Sequence, residues 1–265
     1  RIMIESLKAK VLNFGILYDK KYDVFPIENN YLLKDNFLSP HSESINQIKN
    51  KSKVLDIGCN DGGLGNKLIT QKECEVIGLE ISKSKLAHNL NEFHMCDLDK
   101  GLPDINYNSI NYITMLDVIE HLKNPEKFMD ELYSKVSNND KVEILISTPN
   151  ISFIVIRFML FFGFFNYGKR GILDKTHTRL FTFSSFSKLI LGANFKIEEV
   201  KGIPAPFPLA IGSNIFSNLL LYINKSLIFF LKSLFSYQIF MKIKPRVSLE
   251  LLLNRAKEKA ELQEK

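Results

Sequence analysis

The sequence predicts an α/β fold: a doubly wound, mostly parallel, seven-stranded sheet with two apolar insertions, after strands five and six. Three observations carry this expectation. Short apolar runs alternate with amphipathic, capped segments from Lys51 onward, and the first run, 54–57, ends in a glycine loop. Four consecutive runs also end in an acidic or glycine-bearing turn. Buried parallel strands read as such continuous apolar runs, and strand–helix repeats of this size place helices on both faces of a sheet.

Residues 1–50 form a lead-in. It has an amphipathic start on Ile4, Leu7 and Val11, an aromatic and turn-rich stretch at 22–40, and a short helix near 42–50. Strand one spans 54–57, a helix follows at 63–70, and strand two spans 75–79. Ser82 is placed to cap a further helix with Leu86 and Leu90 facing inward. Strands three and four are expected at 93–96 and 110–116. Asn124 and Pro125 read as N-cap and first helical residue, with Phe128, Met129, Leu132 and Val136 as the buried stripe. Strand five spans 142–147 and leads into the first insertion, 151–179. Thr182 caps a helix carrying Phe186, Leu189 and Ile190 inward, and strand six follows at 195–200. The second insertion, 202–234, precedes strand seven at 237–243. One domain therefore covers 51–247, and 248–265 adds a charged amphipathic helix.

A chain of 265 residues can bury one sizeable core. Its net charge of +6 is modest and its basic residues are interleaved with acidic ones, which argues against a nucleic-acid partner. The three cysteines, Cys59, Cys74 and Cys96, have no metal-site spacing and cannot all pair. This fits a reducing cytoplasm and implies neither a disulfide scaffold nor a metal. The chain begins at Arg1 rather than Met, which leaves its natural start open, and no signal peptide is expected in what is present. The apolar run 151–165 is shorter than the roughly 20 residues of a spanning helix. The uncharged run 202–224 is broken by Pro204, Pro206, Pro208 and Gly212. The insertions can form a lid, a homodimer interface or a peripheral contact at the inner membrane face.

Ligands of open α/β sheets sit beyond the carboxyl ends of the strands. After strand one the chain reads Asp56-Ile57-Gly58-Cys59-Asn60-Asp61-Gly62-Gly63. Gly58 and Gly62 permit a tight turn and close approach of a ligand. Strand two ends in Glu80 and Ile81, and Glu80 is placed to accept hydrogen bonds from ribose hydroxyls. Strand three ends in Asp97-Leu98 and strand four in Leu116-Asp117. A pyrophosphate-binding loop needs a Gly-x-Gly-x-x-Gly spacing that Gly58, Gly62, Gly63 and Gly65 do not provide. Asp61 also places negative charge where a pyrophosphate would lie. A nicotinamide-dependent reductase is thereby disfavoured.

Over 51–200 this ordered set resembles the class I S-adenosylmethionine-dependent methyltransferases, whose first motif is an acidic residue followed by Gly-x-Gly-x-Gly. The resemblance implies a Rossmann-like sheet and S-adenosylmethionine as cofactor, with S-adenosylhomocysteine as product. It implies that Asp56 and Gly58 lie near the amino-acid part of the cofactor, that Glu80 holds the ribose, and that Asp97 and Leu98 flank the adenine. Cys59, Asn60, Gly62, Ile81, Leu116 and Asp117 complete the implied cofactor set. Asn60 departs from the family's usual glycine, and asparagine tolerates unusual backbone angles better than most residues.

Methyl transfer to a hydroxyl benefits from a general base. Of the five histidines, His121 and His177 follow strand ends, whereas His41, His88 and His94 read as surface or packing residues. His121 reads either as a base or as a helix residue shaping the pocket floor. In the polar stretch 174–182, Asp174 can orient or charge-stabilise His177, and Arg179 can bind an acidic or phosphate-bearing acceptor. A bland alternative is a loop-pinning Asp174–Arg179 ion pair. Residues 166–182, with Tyr167 as a further acceptor contact, resemble a branch associated with bacterial surface-glycan synthesis and also ubiquinone-pathway O-methyltransferases. That resemblance implies an O-methyltransferase acting on a sugar or phosphorylated precursor of a cell-surface glycan. Two alternatives stand beside it: a lipid-linked or quinone-type acceptor at the membrane surface, and a non-catalytic binding module.

Overall fold

A computed structural model describes residues 33–83 and 86–247. Within them seven strands form one sheet: β1 (Lys53–Ile57), β2 (Glu75–Glu80), β3 (Glu92–Met95), β4 (Tyr112–Leu116), β5 (Glu143–Pro149), β6 (Phe195–Ile203) and β7 (Gln238–Pro245). The order across the sheet is β3-β2-β1-β4-β5-β7-β6. β1 to β5 pair in parallel, and β7 runs antiparallel to both β5 and β6. The expected doubly wound, mostly parallel sheet is thus present, and its one reversed strand is β7.

Eight helices accompany the sheet among the described residues: α1 (Pro40–Gln47), α2 (Gly63–Lys72), α3 (Pro125–Val136), α4 (Ile154–Phe161), α5 (Phe183–Gly192), α6 (Phe207–Ile211), α7 (Ile215–Phe230) and α8 (Lys232–Phe235). The predicted caps hold. The Asn124 side chain accepts from the Lys127 amide at 3.0 Å, and Thr182 and Ser185 form a reciprocal capping box at the start of α5. Successive strand residues point to opposite faces, so one face sends Leu55, Ile57, Ile113 and Met115 against α3 and α5. The other sends Val54, Val76 and Tyr112 against Ile48 and the Leu64 and Leu68 of α2. Each fully buried Leu, Ile or Phe contributes roughly 1.5–3 kcal/mol, and the two layers cover both faces of the sheet while leaving its carboxyl edge to the loops.

Several expectations need correction. The described residues of the segment after Ser82 form no regular helix beyond a single turn. The amides of Ala87 and His88 instead donate to the Asp61 carbonyl, both at 3.0 Å, so this loop leans on the glycine turn. Leu90 still packs inward: a Cβ on Gly65 or Gly78 would come within 2.5 or 2.4 Å of it. β4 starts at Tyr112 rather than 110 because a 3-10 turn at Tyr107–Ser109 precedes it, with Asn139 bonding the Tyr107 and Ile110 carbonyls. β5 runs on to Pro149 and β6 to Ile203, and β6 takes the first two residues of the expected second insertion. There Gly202 lies so close to Ser236 that a Cβ would sit 1.9 Å from the serine hydroxyl. The lead-in up to residue 32 and the helix expected at 248–264 lie outside the described residues.

Candidate active site

The strand order turns back between β1 and β4, and this is where an open α/β sheet forms its ligand crevice. Two loops meet there: 58–62 after β1 and 117–121 after β4. Gly58 makes the meeting feasible, since its φ is +74° and a Cβ would lie 2.5 Å from Val118 Cγ2. Asn60 also has a left-handed φ, 48°, which its short side chain tolerates, so the departure from glycine keeps the turn. The Asn60 amide donates to Glu80 Oε2 at 3.0 Å and the Ile81 amide to Glu80 Oε1 at 2.9 Å. Glu80 therefore binds the glycine turn to the end of β2.

Asp56 is buried directly beneath this turn. Its Oδ1 accepts from the Thr114 hydroxyl at 2.6 Å, while its Oδ2 is buried with no partner. Burial pushes its pKa up to about 6; the Glu80 and Asp61 charges add to the rise and the Thr114 bond opposes it. A buried carboxylate oxygen without a partner, beside a glycine turn that opens α2, is a fitting acceptor for a cationic group such as the ammonium of a bound amino acid.

The remaining expected cofactor residues are spread around the same edge. Cys59 is buried with its sulfur against Gly78, where a Cβ would be 2.8 Å away, and its main chain braces the turn: its amide donates to the Leu79 carbonyl at 3.0 Å and its carbonyl accepts from the Gly62 amide at 2.8 Å. Ile81 is exposed at the crevice mouth. Asp97 closes its own turn: it accepts from the Asp99 amide at 3.2 Å and pairs with Lys100 at 3.2 Å. Leu98 and Leu116 are half-buried against the two core layers. Asp117 has φ +56° and accepts from the Ser147 hydroxyl at 2.8 Å and from Gln238 Nε2 at 2.7 and 2.6 Å.

The 174–179 loop is latched onto the turn after β4. The Thr178 and Arg179 amides donate to the Glu120 carbonyl, and the Thr178 hydroxyl donates to the Leu122 carbonyl at 2.6 Å. The latch brings His177 against His121 edge to face, with ring centroids 4.8 Å apart. His177 Nδ1 meets the Ile172 carbonyl at 2.9 Å and His121 Nδ1 the Thr176 carbonyl at 3.2 Å. A carbonyl only accepts, so each Nδ1 carries a proton, and in a neutral ring the basic lone pair is then on Nε2. Burial, first of all, holds the His177 pKa below the usual histidine range.

Two expectations around His177 change. The Asp174 carboxylate accepts from the Thr176 amide and hydroxyl, both at 2.8 Å, so it acts on His177 through its charge rather than by orienting the ring. Arg179 pairs with Glu126, at 3.2 Å through both guanidinium NH2 groups, and not with Asp174. It lines a separate open cleft of about 450 Å³ with Glu126 and Lys188, away from the glycine turn. Tyr167 is exposed and stacks edge-on against Phe165.

Glu120 and Gln238 were not among the expected site residues, and His41 was expected as a surface or packing residue. Glu120 is buried, both of its carboxylate oxygens lack a partner, and burial followed by the Asp117 charge raises its pKa well above normal. Donor atoms of Glu120, His121 and His177 all lie within 4.8 Å of one another, close enough to surround one divalent cation. The adjacency of Glu120 and His121 was the available signal. Gln238 offers none, because β7 is far along the chain. His41 has a buried, unpartnered Nδ1; burial first, then Lys34, lowers its pKa to about 4, within reach of the Asp117 and Asp61 charges.

Comparison with known proteins gives a consistent picture. The model of a family described as a methyltransferase domain matches residues 32–200, more than half of the chain. A probable S-adenosylmethionine-dependent methyltransferase of Mycolicibacterium smegmatis is 30% identical over 157 residues, covering 57% of this chain and 54% of the relative. The (S)-tetrahydroprotoberberine N-methyltransferase of Eschscholzia californica is 32% identical over 94 residues, covering 32% of this chain and 27% of that one. The chain thus spans about half the length of the first relative and about a quarter of the second. Among solved structures, an S-adenosylmethionine-dependent methyltransferase of Archaeoglobus fulgidus superposes with a TM-score of 0.52 at 21% identity, over 77% of this chain and 90% of that one. One from Mesorhizobium loti gives 0.50 at 12% identity, over 78% and 98%. At these identities the structural matches establish the fold.

Proposed function

Because the chain belongs to the S-adenosylmethionine-dependent methyltransferases, we propose that it methylates a hydroxyl oxygen, with His177 receiving the hydroxyl proton. The observation that carries this reading is the histidine pair, in which two backbone carbonyls commit both Nδ1 atoms and leave His177 Nε2 basic. Bound S-adenosylmethionine supplies an electrophilic methyl group on its sulfonium. Asp56 Oδ2 would hold the amino-acid ammonium, Glu80 the ribose hydroxyls, and Asp97 and Leu98, with Ile81 beside them, the adenine. Asp117, braced by Ser147 and Gln238, sets the floor between the two halves of the site. His177, kept neutral by burial, accepts the acceptor's proton as the new O–C bond forms.

The acceptor class proposed is a sugar or phosphorylated precursor of a cell-surface glycan, supported by the resemblance of 166–182. The enzyme is assigned to a reducing cytoplasm, a choice supported by its three free cysteines. Release of S-adenosylhomocysteine with nucleotide-sugar or polyprenyl-phosphate-linked sugar acceptors tests the reaction. Cofactor binding without release on any acceptor would reduce the chain to a binding module.

One observation favours a second reading. Glu120, with both oxygens unpartnered, completes with His121 and His177 a donor set for a divalent cation, and the carbonyl bonds to both Nδ1 atoms are the outer-shell partners such ligands have. A cation held there would lower the pKa of an acceptor hydroxyl, so that its proton could pass to water instead of to His177. Chelation decides between the two. The proton reading expects turnover unchanged after EDTA treatment and desalting; turnover lost and then restored by manganese or zinc would move the chemistry to the cation.

A further inference from the structure

Helix α7 is built inside out. A helix on a soluble domain turns its apolar stripe to the core and its polar residues to water. Here the residues facing inward are Ser217, fully buried, Asn224 and Ile228, two of the three polar. Asn224 bonds the Ala205 amide and the Phe235 carbonyl, both at 2.9 Å. Ile215 (89% exposed), Tyr222, Phe229 (86%) and Phe230 face outward. The inward polar bonds fix the rotation of the helix, so the outward face is a consequence of the fold and not of loose packing. The first insertion repeats the pattern: α4 buries Ile156 and Met159 and leaves Phe161 (82%) and Phe162 exposed.

The two insertions belong to one unit. Phe153, Ile156 and Met159 of the first pack with Ala205 and Phe207 of the second in a satellite core that includes Ile172 and Leu173, just before His177. Their charge is one-sided. The first, 151–179, carries Arg157, Lys169, Arg170, Lys175 and Arg179 against one acid, Asp174, and the second, 202–234, carries Lys225 and Lys232 and no Asp or Glu, although the chain has 29. Large exposed apolar patches have partners, and exposed aromatic residues in a segment with a net basic charge are the chemistry of an anionic lipid interface. At 1.5 Å per residue, the 16 residues of α7 reach about 24 Å, short of a bilayer's ~30 Å apolar thickness. No helix among the described residues is long and apolar enough to cross a membrane. α7 is suited to lying in the interface.

We propose that the outward faces of α7 and α4 dock this enzyme on the surface of an anionic bilayer, with the His177 loop beside the docked unit. The proposal goes beyond the methyl-transfer reading and is tested without cofactor or turnover. The full chain is sedimented with vesicles of phosphatidylcholine alone or containing about 30% phosphatidylserine. We expect most of the protein in the anionic pellet, little with neutral vesicles, and a drop of about tenfold or more for the Phe229→Glu/Phe230→Glu variant at unchanged circular dichroism and melting temperature. Should that variant fail to fold, Tyr222→Ser/Phe229→Ser takes its place with the same expectation. Full recovery in the supernatant, or equal pelleting of the folded variant, overturns the proposal. So does a lipid-independent dimer in sedimentation velocity that the variant dissociates, since the face would then belong to a second copy.

Discussion

His177→Ala is expected to lower turnover by roughly two to four orders of magnitude while cofactor affinity stays within about a factor of two. The imidazole sits on the 174–179 loop, latched to the turn after β4 by Thr178, and no bond connects it to the glycine turn that would hold the cofactor. Its loss leaves the Ile172 carbonyl unpaired, a cost of about 1–3 kcal/mol, so reduced stability has to be separated from reduced chemistry. His177→Gln does this, because its amide can donate to the same carbonyl yet offers no basic nitrogen. Single-turnover rates, read with thermal melts on both variants, check the expectation. A near-normal rate in folded His177→Gln would remove the base from the mechanism.

Asp56→Asn is expected to make the cofactor-free protein more stable and its cofactor binding weaker. The folded carboxyl holds its proton to about pH 6, whereas an unperturbed one releases it near 3.8. The folded state therefore binds more protons across that window, and stability falls as pH rises through it. By pH 7 the loss is roughly 3 kcal/mol. Asparagine keeps the Thr114 bond and never ionises, so denaturant melts at pH 7 are expected to favour the variant by up to that amount, with the gap closing below about pH 4. Binding runs the other way. A cationic ligand needs the ionised carboxylate, so affinity of the native chain rises with pH through about 6, and the variant loses it by roughly 10–100-fold. Equal affinity for the two proteins at pH 7 would separate Asp56 from the cofactor.

What the sequence revealed follows from where the physics is local. The strands were visible because buried parallel strands are continuous apolar runs, and the caps at Asn124 and Thr182 because they are side-chain signatures. The order of acidic and glycine-bearing strand ends pointed to the carboxyl edge of the sheet, and the strand order then put the crevice between β1 and β4. Leu86 and Leu90 carry helical spacing, yet main-chain bonds to the Asp61 carbonyl hold that segment as a loop. The orientation of His177 was hidden for the same reason: its partner is the Ile172 carbonyl, which has no side-chain signature. Arg179 found Glu126, 53 residues away, instead of the nearby Asp174. The insertions were visible as apolar, but in 215–230 apolar residues fall on every side of a helix, so their spacing does not say which face turns outward. Two buried polar residues, Ser217 and Asn224, decided that.

The central claim is that the turn from Gly58 to Gly62, Asp56 and Glu80 form an S-adenosylmethionine site, and calorimetric titration with S-adenosylhomocysteine tests it most directly. The account predicts one site per chain, with affinity at least about tenfold weaker in Glu80→Ala. No binding of either cofactor form by the native chain, or an unchanged affinity in folded Glu80→Ala, would contradict it.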